Sequence, residues 1–230
     1  MTRYLTITVA VCLLCLSGWA GVEIQPDGVV KLGRSSLGCR HYNKQWKGST
    51  AQPSRAAGMN REGGTVCVPW LLHGGIEAEF GETVRKTGDD TFRIDYTFRA
   101  ERPVPSANLS AELKLPVEDV VNTPIIVDGR EVMLRDRRDD TFVFTGDAVR
   151  KIEFALPDGR VFVELPTPRK LEILDCRAWN QNNYNLRISF SQSNGDIRQS
   201  DCSLILRFVP YRTTAVDLAA VANRDFADET

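Results

Sequence analysis

The sequence predicts an all-β protein, a large antiparallel β-sandwich of two sheets, and three observations carry that prediction. Alternation comes first. Ile152, Phe154 and Leu156 alternate with Lys151 and Glu153, and Val161 to Leu165 returns. Tyr184, Leu186, Ile188 and Phe190 alternate with Asn185, Arg187 and Ser189, and Cys202, Leu204, Leu206 and Phe208 with Ser203, Ile205 and Arg207. A period of two sends one face into a core and leaves the other wet, which marks antiparallel strands. Second, Asp158-Gly159 and Asp128-Gly129 stand between such runs, and both residue types tolerate positive φ, a strong hairpin signal. Third, short strand-like runs recur at regular intervals with Gly, Asp and Pro between them, and no helical period occurs before Thr214.

Residues 1–20 read as a secretory signal peptide. Arg3 supplies the charge, Leu5 to Leu16 the apolar stretch, and Ser17-Gly18-Trp19-Ala20 the small residues of a cleavage site near Ala20. A spanning helix needs about 20 apolar residues, so the mature chain is expected to be soluble, secreted or periplasmic, with no membrane contact after cleavage. Residues 21–212 form the predicted β-sandwich domain, and 213–230 a short helical or extended C-terminal connector leading to a further domain. The chain's 42% apolar and 26% charged residues exclude disorder. With a net charge of −1 and no basic run, nucleic acid is not an expected partner.

Val22 to Ile24 and Val29 to Leu32 flank a Pro26-Asp27-Gly28 turn. Between Gly33 and Gly64 the alternation dissolves into Gly, Ser, Asn, Arg and Gln, with His41, Tyr42 and Trp46 among them. A loop of that length inside a compact domain is usually functional or disordered, so a site is expected there. Beyond it, Thr65 to Val68, Gly75 to Phe80, Phe92 to Phe98 and Leu109 to Leu115 read as strands. Ile125 to Val127 and Val132 to Leu134 read as a second hairpin. Arg135 to Asp140 cancels its own charge and reads as a solvated turn.

Four cysteines follow the signal: Cys39, Cys67, Cys176 and Cys202. In an exported chain they permit disulfides in three connectivities. If the strands around Cys176, Tyr184 to Phe190 and Cys202 form a simple meander, Cys176 and Cys202 lie two strands apart, about 10 Å, too far to bridge. Cys39–Cys67 is then the expected disulfide; the alternative is four small buried apolar residues. The spacings match no zinc pattern.

No catalytic motif is present. His41 and His73 are the only histidines, without a nucleophile elbow or a metal-ligand spacing. His73 reads as a strand-end residue with a satisfied hydrogen bond. Glu77 and Glu79 share a strand face, a pattern that usually means solvated surface, although a carboxylate pair is what glycoside hydrolysis requires. No cofactor or metal is implied. The binding candidate is Trp179-Asn180-Gln181-Asn182-Asn183-Tyr184: aromatic rings stack on sugar rings, and the amides of Asn180 and Asn182 pair donors and acceptors with hydroxyls. The competing reading is a turn of αL-tolerant Asn clamped by two rings. Tyr42 and Trp46 carry the same pair of readings, and Trp70 reads as core.

Phe92-Arg-Ile-Asp-Tyr-Thr-Phe-Arg99 with Asn108-Leu-Ser-Ala-Glu-Leu-Lys-Leu-Pro116 resembles the N-terminal β-sandwich module of large secreted bacterial glycoside hydrolases and related carbohydrate-active proteins. Ile126-Val-Asp-Gly-Arg-Glu-Val132, Phe144-Thr-Gly146, Ile205-Leu-Arg-Phe208 and Val216-Asp-Leu218 fit the same pattern. The resemblance spans Val22 to the end. It implies a non-catalytic module that binds a polysaccharide or oligosaccharide or braces a following catalytic domain, with the active site elsewhere. The alternatives from other classes are a cell-surface structural or adhesion module without a sugar ligand, and a self-contained glycoside hydrolase.

Overall fold

The computed structural model describes residues 21–26, 28–50, 63–138, 140–190 and 195–211. The signal segment and the C-terminal connector expected from the sequence lie outside them. The described chain is all-β, as predicted, and every strand pair is antiparallel. Its strands are β1 (Val22–Ile24), β2 (Val30–Leu32), β3 (Ser35–Tyr42), β4 (Gly48–Thr50), β5 (Gly63–Leu72), β6 (Ile76–Gly88) and β7 (Thr91–Ser106). There follow β8 (Asn108–Pro116), β9 (Pro124–Val127), β10 (Arg130–Met133), β11 (Phe142–Leu156), β12 (Gly159–Asp175), β13 (Asn183–Ser189) and β14 (Gly195–Pro210).

The two separate sheets expected from the sequence are two halves of one. All the strands share a continuous sheet in the order β1-β2-β3-β8-β13-β12-β14-β7-β6-β5, with β4, β9, β10 and β11 attached beside it. The join is β12. Its first part, Gly159 to Glu164, pairs with β14, and its last part, Leu171 to Asp175, pairs with β13. Pro166 and Pro168 stand between these parts, and neither has an N–H with which to continue a ladder. The strand therefore turns a corner and changes neighbours there, while β11 follows it with register breaks near Val149. The sheet curls until it nearly closes into a barrel. Its halves meet face to face: His41 of β3 lies 6.2 Å edge-on from Trp70 of β5 and 6.5 Å from Phe98 of β7, and Tyr96 of β7 stacks 5.7 Å from Phe190, just past β13. One apolar core runs through both.

Four sequence expectations need correction. The stretch from Gly33 to Gly64 is not one loop, because Ser35–Tyr42 is the inner strand β3, with Ser35, Leu37, Cys39 and His41 facing the core. Small and polar residues hid its alternation. The meander also fails: β13 pairs with β12 and β8, never with β14, which pairs with β12 and β7. The Cys39–Cys67 disulfide is not formed, and the four described cysteines are all free thiols. Cys39 points into the core from β3, whereas Cys67 is exposed on the outer face of β5. Last, two single turns of helix interrupt the strands, α1 (Val117–Val120) and a 3-10 turn at Cys176–Trp179.

Both predicted hairpins form, by different means. Asp128 and Gly129 are the two loop residues of the β9–β10 hairpin and both have positive φ, at 48° and 82°, the geometry that matches strand twist. The Asp128 carboxylate also accepts from the Arg150 and Lys151 N–H groups of β11. In the β11–β12 hairpin Leu156 pairs with Gly159, so Pro157 and Asp158 make the turn and neither Asp158 nor Gly159 has positive φ. Gly159 serves close approach instead: a Cβ there would stand 2.5 Å from the Phe208 ring and the Val209 carbonyl.

Candidate functional site

On the half of the sheet formed by β3, β8, β13 and β12, the face turned away from the core is lined with polar side chains, and many of them are buried. Register explains the arrangement. Gly38 pairs with Glu112, Glu112 with Arg187, and Arg187 with Glu172, one row across four strands. Arg187, 5% exposed, donates from Nε to Glu112 Oε1 at 3.0 Å and from Nη1 to Glu172 Oε2 at 3.2 Å. Tyr42 Oη donates to Glu112 Oε1 at 2.9 Å, Asn185 Nδ2 to Glu112 Oε2 at 3.4 Å, and Lys170 Nζ lies 2.8 Å from Glu172. Burial works against a charged guanidinium, but Glu112 beside it holds the Arg187 pKa above the usual arginine value. Burial, reinforced by the Glu112 charge, pushes the Tyr42 phenol up to about 12. The network is a fixed frame of donors and acceptors.

Trp46 sits on that frame. The turn that carries it is closed by Asn43, whose Oδ1 accepts from the Gln45 and Lys47 N–H groups and whose carbonyl accepts from Trp46. This places Trp46 at φ 58°, a left-handed conformation that is an outlier for a bulky residue. The residue is 53% exposed, and its ring lies 5.6 Å from the Tyr42 ring and has the Arg187 guanidinium 5.5 Å from its centroid. Arg187 also stands 4.7 Å from the Tyr42 ring, and Arg40 5.1 Å from it. The product is an aromatic surface open to solvent, backed by buried charge. Tyr42 supports it rather than presenting itself.

The Trp179 segment is arranged differently. Trp179, 53% exposed, ends the 3-10 turn, and Asn180 caps the turn at φ 58°. Tyr184 is only 1% exposed: it receives a hydrogen bond from Arg177 Nη2 at 2.9 Å and donates to the Arg135 carbonyl at 2.6 Å. It does not flank Trp179 as a second platform. Asn182 is tied to α1, donating to Glu118 at 3.1 Å and accepting from the Val117 N–H. Arg177 fixes the segment to the chain beyond β10, pairing with Asp175 and donating to the Arg135 and Asp136 carbonyls. Tyr184 and Asp175 lie along a groove of about 290 Å³ beside Met133, Phe142 and Phe144.

The two aromatic groups do not form one site. Tyr42 pairs with Asn108 and Tyr184 with Leu115, seven residues apart on β8, or about 23 Å at strand rise, and their side chains leave opposite faces. The sequence did not single out Arg187, Glu112, Glu172 or Asn185. Their signal was polar residues at the outward positions of adjacent strands, which reads as ordinary wet surface until register joins them.

His41 is buried in the core with neither ring nitrogen hydrogen-bonded, and burial, with His73 nearby, lowers its pKa to about 4. His73 bonds through Nε2 to the Gly48 carbonyl at 2.9 Å. Glu77 and Glu79 are exposed on β6. Trp70 is core, as read from sequence. Among the described residues no group of three or more His, Cys, Asp or Glu is placed to hold a metal ion, and no helix is long and apolar enough to cross a membrane. No protein-family model matches the chain, and no curated protein matches it.

Proposed function

We propose that this chain is a non-catalytic glycan-binding module of an exported, carbohydrate-active bacterial protein, and that it engages polysaccharide through Trp46. The observation that carries the reading is the strained backbone at Trp46. A left-handed conformation costs a bulky residue about 1–2 kcal/mol, and such strain collects where the surroundings hold a side chain for a task. Here it lifts a flat ring into solvent over Tyr42 and Arg187. An aromatic face stacks on the C–H face of a pyranose, while nearby carboxylate and amide groups pair with hydroxyls. Trp179 is the second exposed indole and serves as a separate contact. The resemblance of the strand motifs to modules of secreted glycoside hydrolases supports the same class.

Affinity electrophoresis of the mature chain across neutral and acidic polysaccharides tests the proposal. At least one polymer should retard the protein, and Trp46→Ala should abolish the retardation while the fold survives. If no polymer retards the unmutated chain, the module is a bracing or adhesion domain without a sugar ligand.

A further inference from the structure

β10 and the start of β11 border the groove of about 290 Å³ that contains Tyr184 and Asp175. All four residues of β10, Arg130 to Met133, line one side, and Phe142, Val143 and Phe144 line the other. The segment joining the two strands closes one end and contributes Arg135, Arg137 and Asp140. Asp175 and Tyr184, both buried, form the floor. β11 is bulged here, its ladder to β12 slipping between Phe142 and Phe144. A bulge re-aims side chains, so three consecutive residues reach one groove. Phe142 and Met133 are largely exposed at its rim. The Phe144 ring lies back over Gly146, where a Cβ would stand 2.9 Å from it.

The floor and the closed end are already held. Tyr184 Oη donates to the Arg135 carbonyl at 2.6 Å and Arg177 Nη2 to the same carbonyl at 2.9 Å. Arg177 also pairs with Asp175 at 2.7 Å and donates to the Asp136 carbonyl. A wall fixed beforehand loses little freedom when a ligand arrives. The lining names the class of that ligand. Its charges balance, Arg130, Arg135 and Arg137 against Glu131, Asp140 and Asp175, and Arg177 behind the floor is matched by Asp136. A ligand of fixed charge meets repulsion as well as attraction there. A hydroxyl donates to carboxylates and accepts from guanidiniums, so both kinds of side chain serve it. The apolar rim suits the C–H face of a sugar ring, and the closed end admits a chain terminus rather than a chain interior.

Resting on the glycan-binding reading for its class of ligand, we infer that this groove is a second sugar site, separate from Trp46, that takes the terminal residue of an uncharged glycan chain. The Phe142 ring packs on the C–H face of that sugar. Glu131 and Asp140 accept from its hydroxyls, and Arg130 and Arg137 donate to them. Chain ends are scarce in a polymer, so retention on polysaccharide still depends on Trp46.

The test is isothermal titration calorimetry of the Trp46→Ala chain, which lacks the other platform, at low and high salt. The probes are the hexasaccharides of cellulose, xylan, mannan and β-1,3-glucan, with hexagalacturonate as the charged control. At least one neutral hexasaccharide should bind, and equally at both salt concentrations. In the same background Phe142→Ala should weaken it about tenfold, the scale of an exposed stacking contact, and Phe142→Tyr should restore it. Asp140→Ala should weaken it about threefold or more, as the loss of a hydrogen bond does. Both residues are exposed, so melting temperatures should stay near that of the Trp46→Ala parent; should Phe142→Ala melt early, Asp140→Ala decides alone. Binding that survives both substitutions, or is lost only with Trp179→Ala, overturns the groove. Tighter binding of hexagalacturonate, or weakening by salt, overturns the uncharged assignment. If no hexasaccharide binds while a polysaccharide still retards the unmutated chain, the groove fails and the binding module stands. If neither occurs, the module itself fails and the groove with it.

Discussion

The strain at Trp46 yields a prediction whose sign runs against ordinary experience. Glycine is normally less stable than alanine within regular structure by about 0.5–1 kcal/mol, because it loses more backbone freedom on folding. At Trp46, with φ 58°, the order should reverse. Either replacement forfeits the ring pair with Tyr42, about 0.5–1.5 kcal/mol, and the contact with Arg187, about 0.5–1 kcal/mol at an exposed site. Alanine keeps the left-handed penalty of about 1–2 kcal/mol, whereas glycine relieves it. Trp46→Ala should therefore lose about 1–2.5 kcal/mol, and Trp46→Gly should lie about 0.5–1 kcal/mol above it after its entropy cost. In a domain of this size 1 kcal/mol moves the melting temperature by about 2–4 °C. Differential scanning calorimetry of both variants at neutral pH reads the difference directly. A glycine variant that melts below the alanine variant refutes the claim that the backbone is strained. A loss of about 3–5 kcal/mol for either, the scale of a buried indole, refutes the claim that the ring is there for an outside partner.

Other perturbations test the frame and the core. Arg187→Ala should cost about 3–5 kcal/mol in urea unfolding, since it leaves Glu112 buried with no cation and Glu172 with Lys170 alone; a loss below about 1 kcal/mol would show that water reaches the row. The His41 pKa falls from 6.5 unfolded to about 4 folded, so folding favours the neutral ring. Its contribution is complete above pH 6.5 and is lost as pH falls towards 4, about 3 kcal/mol in all; His41→Phe should flatten that part of the stability profile, and an unchanged slope would mean that the ring is not buried neutral. Cys67 is the exposed thiol among the four described, and Cys39, Cys176 and Cys202 are buried. Iodoacetamide should label Cys67 in the native state and the other three only in denaturant. A peptide map recovering Cys39 joined to Cys67 would contradict the free thiols.

The sequence by itself determined the class of the protein. Period-two alternation is a local property, and a strand with one buried face must write it into consecutive residues, so Phe92 to Phe98, Leu109 to Leu115 and Ile152 to Leu156 were legible. Turn chemistry was legible for the same reason at Asp128-Gly129. At Asp158-Gly159 the hairpin was legible but its mechanism was not, because the crowding by Phe208 that requires Gly159 comes from β14, distant in sequence. β3 escaped notice since Ser35, Gly38 and His41 are poor signals of a strand, and only its neighbours β2 and β8 make it one. Tertiary structure alone decided three things. It made one sheet of two through the proline corner of β12, and it put β13 beside β8 rather than β14. It also gathered the site: Tyr42, Glu112, Glu172 and Arg187 are as much as 145 residues apart, and nothing local tells an outward polar residue whether water or a guanidinium will face it. Cross-strand register supplies that partner, and register is a property of the assembled sheet.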